Sequence, residues 1–212
     1  MGRLFFPALR AHQIVMGDEN NGTLKEDGIM LESALIAYGS PTLARLKAGS
    51  LFAVPCEHAA LKEEMRRLNA ILAPRGVRVT VLQSTAGRTL VYLYREQALR
   101  EALNCPDARK LLEVYGYRDF TIHAALRMLR TRMEASSGFP HEIGVFLGYP
   151  LEDVIGFIRN GGRNCLCSGC WKAYVNEREA RRTFARLHKC RAVYARLFSE
   201  GYSLTRLTVR TT

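Results

Sequence analysis

The stretch from Ser50 to Tyr94 constrains the fold of this chain most strongly, because it alternates between two kinds of hydrophobic periodicity. Residues 50–54 form a short apolar run, which predicts a buried strand. Residues 57–73 then place apolar side chains at every third or fourth position, which predicts an amphipathic helix. Two runs rich in β-branched and aromatic residues follow at 77–82 and 89–94, with a turn between them. The stretch therefore predicts a hairpin that a helical crossover joins to the first strand.

Helical periodicity dominates the remainder of the chain. Further helices are predicted at 30–38, 42–47, 96–103, 107–115, 121–136, 142–147, 150–160 and 177–199. The first is expected to end near Gly39, with Pro41 in the first turn of the second. Residues 171–175 alternate like a strand. We therefore predict an α+β fold, with a small mixed β-sheet of about four strands covered by helices and with a helical C-terminal portion.

The expected domain limits follow from where periodicity stops. Residues 1–29 include a polar, turn-rich segment without period, and the helical pattern begins at Met30. We expect residues 1–29 to be a flexible N-terminal extension or the product of an upstream start codon. Residues 30–212 are expected to form a single α+β domain, with a candidate sub-boundary at the Ser-Ser-Gly segment 136–138.

The charge of the chain is strongly positive and uneven. The formal net charge is +11, and residues 161–212 hold eleven Lys or Arg side chains against three acids. This balance suggests an anionic partner, either nucleic acid or an acidic protein, although a solvated basic surface has the same composition. No apolar run approaches the ~18 residues that read as a membrane span. We therefore expect no membrane partner and a cytoplasmic location, where cysteines are thiols or metal ligands rather than disulfides.

Cysteines form the most suggestive local constellation. Cys165, Cys167 and Cys170 lie within six residues in a C-x-C-x2-C motif, and Cys190 lies on the predicted helix that follows. Four thiolates can complete a tetrahedral zinc site or hold an iron–sulfur cluster. Because C-x-C is not the spacing of paired zinc knuckles, two alternatives stay open. The cysteines are either redox-active thiols that switch to disulfides, or buried thiols that behave as small apolar side chains.

Two other features are candidates for function. His141 and Glu142 stand at a predicted helix start, where a His–Glu pair could carry out proton chemistry. The alternative is local, since Glu142 could complement the helix dipole and His141 could make a nearby hydrogen bond. A row of basic side chains on the helix 177–199 could follow a phosphate backbone, or be its solvated face.

Several motifs together resemble one known family. The string from Phe139 to Phe157, F-P-H-E-I-G-V-F-L-G-Y-P-L-E-D-V-I-G-F, resembles the signature of a bacterial family of unknown function found mainly in anaerobic Gram-positive bacteria. Further segments are similar to that family: Pro41–Lys47, the Cys165–Tyr174 motif C-x-C-x2-C-W-K-x-Y, Lys189-Cys190 and Leu207–Val209. The family often has His-Cys where this chain has Ala37-Tyr38.

The resemblance covers residues 30–209 and implies no assigned activity. It does imply that the cysteine loop and Cys190 belong to one pattern, and that residues 1–29 lie outside it. The leading hypothesis is a cytoplasmic protein that binds zinc or an iron–sulfur cluster through Cys165, Cys167, Cys170 and Cys190, with a redox or regulatory role. A basic module for nucleic acid and an enzyme that uses His141 and Glu142 are the alternatives.

Overall fold

The computed structural model describes residues 30–135 and 139–210, and it has the predicted α+β fold. The helices are α1 (Met30–Leu43), α2 (His58–Leu72), α3 (Glu96–Asn104), α4 (Pro106–Val114), α5 (Ile122–Ala135), α6 (Ile143–Phe146), α7 (Leu151–Asn160), α8 (Glu177–Ser199) and α9 (Leu204–Leu207). The strands are β1 (Gly49–Val54), β2 (Val77–Thr85), β3 (Arg88–Arg95), β4 (Cys167–Ser168) and β5 (Lys172–Ala173). The fold class and the helical C-terminal portion are confirmed.

The main sheet has the strand order β1-β3-β2, and both of its pairings are antiparallel. Since β1 and β2 each run opposite to β3, they point the same way, as the predicted crossover through α2 requires. The hairpin strand β3 inserts between them, so no parallel neighbours meet among the described strands. The main sheet is therefore antiparallel, and not mixed as the sequence predicted. The sequence pattern predicts the crossover, but it does not predict which strand occupies the centre.

The predicted fourth strand does not join this sheet. β5 pairs instead with β4 in a separate antiparallel hairpin, in which Cys167 faces Ala173. The amide of Gly169 donates to the carbonyl of Trp171 at 3.0 Å and closes the turn. Pairing within the loop satisfies backbone groups locally, so the strand needs no place at a sheet edge. We call residues 165–175 the cysteine hairpin.

The first helix is longer than predicted, because α1 continues through Pro41 and ends at Leu43. Gly39 does not terminate it. A Cβ at Gly39 would lie 2.5 Å from Cδ2 of Leu93, so glycine allows α1 to pack closely on β3. The buried Arg95 donates from Nε to the carbonyl of Thr42 at 2.6 Å and from Nη2 to that of Leu43 at 2.5 Å. These bonds satisfy carbonyls at the helix end, and α1 stops where Arg45 adopts a positive φ of 61° and the amide of Leu46 donates to the carbonyl of Pro41 at 2.8 Å.

Two helical layers cover the opposite faces of the main sheet. Successive side chains of a strand point to opposite faces of the sheet. On one face of β3, Val91 and Leu93 pack with α1 and α2. Tyr92 and Tyr94, on the same strand, pack with residues of α3 to α7. Each layer therefore contributes its own apolar cluster, and β3 is buried between the two.

The cysteine hairpin packs on the first half of α8, which has the predicted bounds. The Asn176 side chain accepts from the amide of Glu179 at 3.1 Å, as expected for a capping residue. A third, smaller apolar cluster is formed by Cys167, Ala173, Ala180 and Phe184. The hairpin thus packs in an apolar cluster of its own, separate from the two clusters that flank the main sheet.

Residues 1–29 and 136–138 lie outside the described residues, so the expected extension and sub-boundary stay predictions. In the described part of the chain, no helix is both long enough and apolar enough to span a membrane.

Candidate functional site

Asp153, in the first turn of α7, anchors the cysteine hairpin. Its side chain is 5% exposed. One carboxylate oxygen accepts from the Trp171 indole at 2.8 Å. The other accepts from the backbone amides of Tyr174 at 2.7 Å and Val175 at 3.3 Å. A buried carboxylate requires such donors, and here the donors all belong to the hairpin, so Asp153 holds the hairpin against α7.

An aromatic stack continues from the hairpin. Trp171 stacks on Tyr149 with ring centroids 5.3 Å apart, and its ring meets Phe184 of α8 edge-on at 4.6 Å. The ammonium of Lys47 lies over the ring of Tyr149, 4.9 Å from its centroid. A Cβ at Gly169 would overlap the ring of Phe184, which is why the hairpin turn requires glycine. These contacts bring residues from four separated segments to one place.

A cavity of about 120 Å³ opens beside this stack. Its lining includes His141, Leu147, Tyr149, Phe157, Cys170 and Trp171. The wall is mainly apolar, and Cys170 is one of the residues that line it. Cys170 is the one cysteine in this lining, which also contains the polar residues Ser168 and Lys172.

The cysteines have different surroundings. Cys167 is 7% exposed and Cys190 is 8% exposed, whereas Cys165 and Cys170 are half-buried. The Cys167 thiol makes a weak contact of 4.0 Å with the carbonyl of Glu177. Burial raises the pKa of the thiols of Cys167 and Cys190 above their ordinary value. Among the described residues all cysteines are unbridged, and Cys170 is the one that lines the cavity beside the stack.

The structure does not assemble the predicted four-sulfur site. No group of three or more His, Cys, Asp or Glu side chains within 30–135 and 139–210 is arranged to hold a metal ion. Electrostatically, Cys190 interacts with Arg191 and Tyr194 rather than with the hairpin cysteines. Zinc or iron–sulfur binding by the four cysteines stays a prediction.

Two basic side chains lie near Cys170. Lys47 is affected by the charges of both Cys170 and Arg191, and Tyr149 responds to the same two side chains. Burial is the main cause that lowers the pKa of Lys47 to about 8, the charge of Cys170 opposes this shift, and the charge of Arg191 adds to it. Nε of Arg191 is buried and has no hydrogen-bond partner in the part of the chain that the structure describes. Lys47 and Arg191 are therefore the cations available to a negative group at Cys170.

Sequence reasoning missed Lys47 and Tyr149 as site residues. Both lie in segments similar to the family of unknown function, and that similarity is the one signal that marks them. Nothing in the spacing of the chain connects Lys47 with Cys170, which is more than a hundred residues away.

The structure places His141 and Glu142 in different surroundings. His141 lines the cavity, its ring lies edge-on to Phe157 at 5.1 Å, and burial lowers its pKa. Glu142 is fully buried in the core, where it accepts from Arg132 and, at 3.3 Å, from the hydroxyl of Tyr117. Glu142 thus has structural partners, and a catalytic role for the pair stays a prediction.

The basic side of α8 is exposed, as its pattern predicts. Arg178, Arg182, Arg186 and Lys189 face solvent, while Phe184, Leu187 and Cys190 are buried. Nucleic-acid binding by this face stays a prediction, because exposure is also what a solvated helix face shows.

Comparison with known proteins gives one match. A protein-family model described as "Protein of unknown function (DUF3793)" matches residues 35–208, a range that includes α8, the cysteine hairpin and Lys47. No curated protein and no solved structure matches the chain. The resemblance to a family of unknown function is therefore confirmed, while the signature string and the bacterial range of the family stay predictions.

Proposed function

The chain belongs to the DUF3793 family of proteins of unknown function, and from its own geometry we propose that it is a thiol–disulfide redox protein. Cys170 is the attacking thiol and Cys167 is the resolving thiol. The observation that carries the proposal is the position of Cys170 in the wall of a cavity, beside the cations Lys47 and Arg191.

The spacing of the two cysteines supports this pairing. Cys167-Ser-Gly-Cys170 is a C-x-x-C sequence, the spacing of many dithiol centres that exchange with disulfides. Cys167 is part of the apolar cluster around Phe184, and Cys170 packs against the same cluster. The two cysteines therefore lie three residues apart in one short hairpin and contact the same cluster.

The difference in exposure supports the order of the two roles. A substrate disulfide reaches the half-buried Cys170 through the cavity, whereas Cys167 is covered by the hairpin and α8. Burial raises the pKa of Cys167, so this thiol stays protonated at neutral pH until the first exchange has taken place. His141 lines the same cavity, and its lowered pKa leaves it neutral at pH 7, so it can accept a thiol proton.

The reaction balances in two steps. The Cys170 thiolate attacks a substrate disulfide, forms a mixed disulfide with one half and releases the other half as a thiolate. Cys167 then loses its proton, attacks the sulfur of Cys170 and releases the second half. Two electrons pass to the substrate, which becomes two thiols, and the protein retains a Cys167–Cys170 disulfide. In the cytoplasm, the location that the sequence predicts, the reduced dithiol is the resting state.

Peptide mapping after titration with oxidised glutathione tests this proposal. We expect the wild-type protein to form the Cys167–Cys170 disulfide, Cys167→Ser to stop at glutathionylated Cys170, and Cys170→Ser to leave Cys167 unmodified. Cys105→Ser is the matched control, because this exposed cysteine lies outside the hairpin. Glutathionylation of Cys170 no faster than that of Cys105, or a disulfide from Cys167 to Cys165, would contradict the proposal.

The same preparation distinguishes the metal hypothesis. A zinc ion or cluster held by Cys165, Cys167, Cys170 and Cys190 would protect all four from alkylation until a chelator removes it. A free dithiol predicts that the chelator changes no alkylation rate, and that elemental analysis of protein purified without oxygen finds no bound zinc or iron.

A further inference from the structure

A second cavity, larger than the first, lies on another side of the molecule. Its volume is about 710 Å³, and residues of β2, β3, α3, α4 and α5 and of the segment 119–121 line it. It shares no lining residue with the cavity beside the cysteine hairpin. Its size falls within the range of roughly 300–1,000 Å³ typical of small-molecule sites. We call it the arginine groove, after Arg100, Arg109 and Arg130 in its wall.

Arg130 and Arg109 are held in place by neutral oxygen atoms. Arg130 donates from Nε to the carbonyl of Val81 at 2.9 Å and from Nη2 to the Thr80 hydroxyl at 2.7 Å. Arg109 donates to the side chain of Asn104, and its guanidinium lies 4.7 Å from the centroid of the Phe120 ring. These bonds orient both guanidinium groups but leave their positive charge without a carboxylate among the described residues.

The acids of the groove are already engaged. Glu96 makes an ion pair with Arg78 at 3.0 Å, and Arg78 is not part of the lining. A carboxylate oxygen of Asp119 accepts from the amide of Thr121 at 2.8 Å, and this hydrogen bond lowers the pKa of Asp119. The exposed Arg100 has no ion-pair partner in the described part of the chain. The lining therefore holds three arginines against two carboxylates, which leaves a net charge of +1.

The start of α5 adds to this field. Thr121, Ile122 and His123 line the groove at the helix N-terminus, where backbone amides and the helix dipole favour an anion. Guanidinium groups match the oxygen atoms of a phosphoryl group in pairs. Cations and the start of α5 therefore line one concave volume, in which the Asp119 carboxylate already accepts from the amide of Thr121.

We propose that the arginine groove binds a phosphate-bearing small molecule, with Arg109 and Arg130 as the fixed contacts and Arg100 as a mobile third. The phosphoryl group is the recognised chemistry, and it belongs equally to a free metabolite and to a nucleic acid. The volume of about 710 Å³ favours the metabolite, since it lies within the range of roughly 300–1,000 Å³ typical of small-molecule sites.

Calorimetric titration of the full chain at constant ionic strength tests this inference, with inorganic phosphate, adenosine monophosphate and a single-stranded RNA oligonucleotide as probes. We expect the monophosphate to bind, and Arg109→Gln and Arg130→Gln each to weaken it by at least about tenfold. Arg186→Gln is the matched control, since it removes one exposed charge from α8. Arg130→Lys keeps the charge without the fork and is expected to give an intermediate loss.

Protection from hydrogen exchange provides a second measurement if a glutamine variant does not fold. The monophosphate should slow exchange of the amides in residues 119–124 of the wild-type protein, and it should leave the cysteine hairpin unchanged. The inference is overturned if no probe binds, or if Arg186→Gln weakens binding as much as Arg109→Gln. Tight RNA binding without binding of the monophosphate would also overturn it.

Discussion

Removing the Asp153 carboxylate tests how the cysteine hairpin is held. Asp153 accepts two short hydrogen bonds, at 2.8 Å from the Trp171 indole and at 2.7 Å from the Tyr174 amide, and a longer one at 3.3 Å from the Val175 amide. In Asp153→Ala these donors lose an acceptor that is itself only 5% exposed. Asp153→Asn keeps an oxygen for the amides, but it turns an NH₂ group toward the indole N–H.

The expected loss follows from the number of bonds. A hydrogen bond to a charged group contributes about 1.5–3 kcal/mol net, so the two short bonds of Asp153 together predict a loss of about 3–6 kcal/mol for Asp153→Ala. Asp153→Asn loses the bond to Trp171 and should cost about 1.5–3 kcal/mol. Since a whole domain is stable by about 5–15 kcal/mol, the alanine variant should lie close to unfolding.

Tryptophan fluorescence measures this loss at the hairpin itself, because Trp171 is the only tryptophan in the chain. We expect urea unfolding midpoints to fall in the order wild type, Asp153→Asn, Asp153→Ala. The native emission of the alanine variant should shift to longer wavelength as the indole gains water. Asp107→Asn is the control, because its carboxylate is 71% exposed and pairs with Lys110 on the surface of α4, where such pairs contribute less than about 1 kcal/mol. If Asp153→Ala unfolds at the midpoint of this control with unchanged emission, the anchoring role of Asp153 is wrong.

Two further predictions concern buried charge. Arg132→Ala leaves the fully buried Glu142 carboxylate without its cation, so this variant should lower the free energy of unfolding by about 3–5 kcal/mol. A second change in the same protein, Glu142→Gln, should restore part of the loss. Equal stability of Arg132→Ala and wild type in urea would contradict this role of the ion pair. Burial lowers the pKa of Lys47 from 10.5 to about 8 in the folded protein. Between these pH values the unfolded chain therefore binds more protons than the folded one, so the free energy of unfolding rises with pH. Relative to Lys47→Met, the wild type should therefore become more stable between pH 8 and pH 10.5 in urea titrations, and a difference that is constant over this window would show that Lys47 is not desolvated.

Local patterns predicted the elements that depend on neighbouring residues. The helix α8 has its expected bounds, because the Asn176 cap and the apolar period act within one segment. The end of α1 was predicted wrongly for a related reason. Gly39 and Pro41 signal a helix end, but the close packing of α1 on β3 requires the glycine, and the helix ends only where Arg45 adopts a left-handed conformation.

The order of the strands needed information that the pattern does not contain. β1, β2 and β3 were each expected near their observed bounds, yet alternation along a strand does not state which strand is its neighbour. The central position of β3 follows from its apolar side chains on both faces, which two separate helical layers bury. Alternation also predicted the strand that contains residues 172–173, but it could not show that the partner of this strand lies within the cysteine hairpin.

By itself, the sequence determined the α+β class, most of the helices, the clustering of cysteines and the membership of a family of unknown function. Only the tertiary structure decided that Cys170, rather than Cys167 or Cys190, lines a cavity, and that Lys47 and Arg191 are its cations. The physical reason is that desolvation and charge act through space over a few ångströms. Helical and strand periodicity, in contrast, depend on residues that are close together in the sequence, so they can be recognised from the sequence alone.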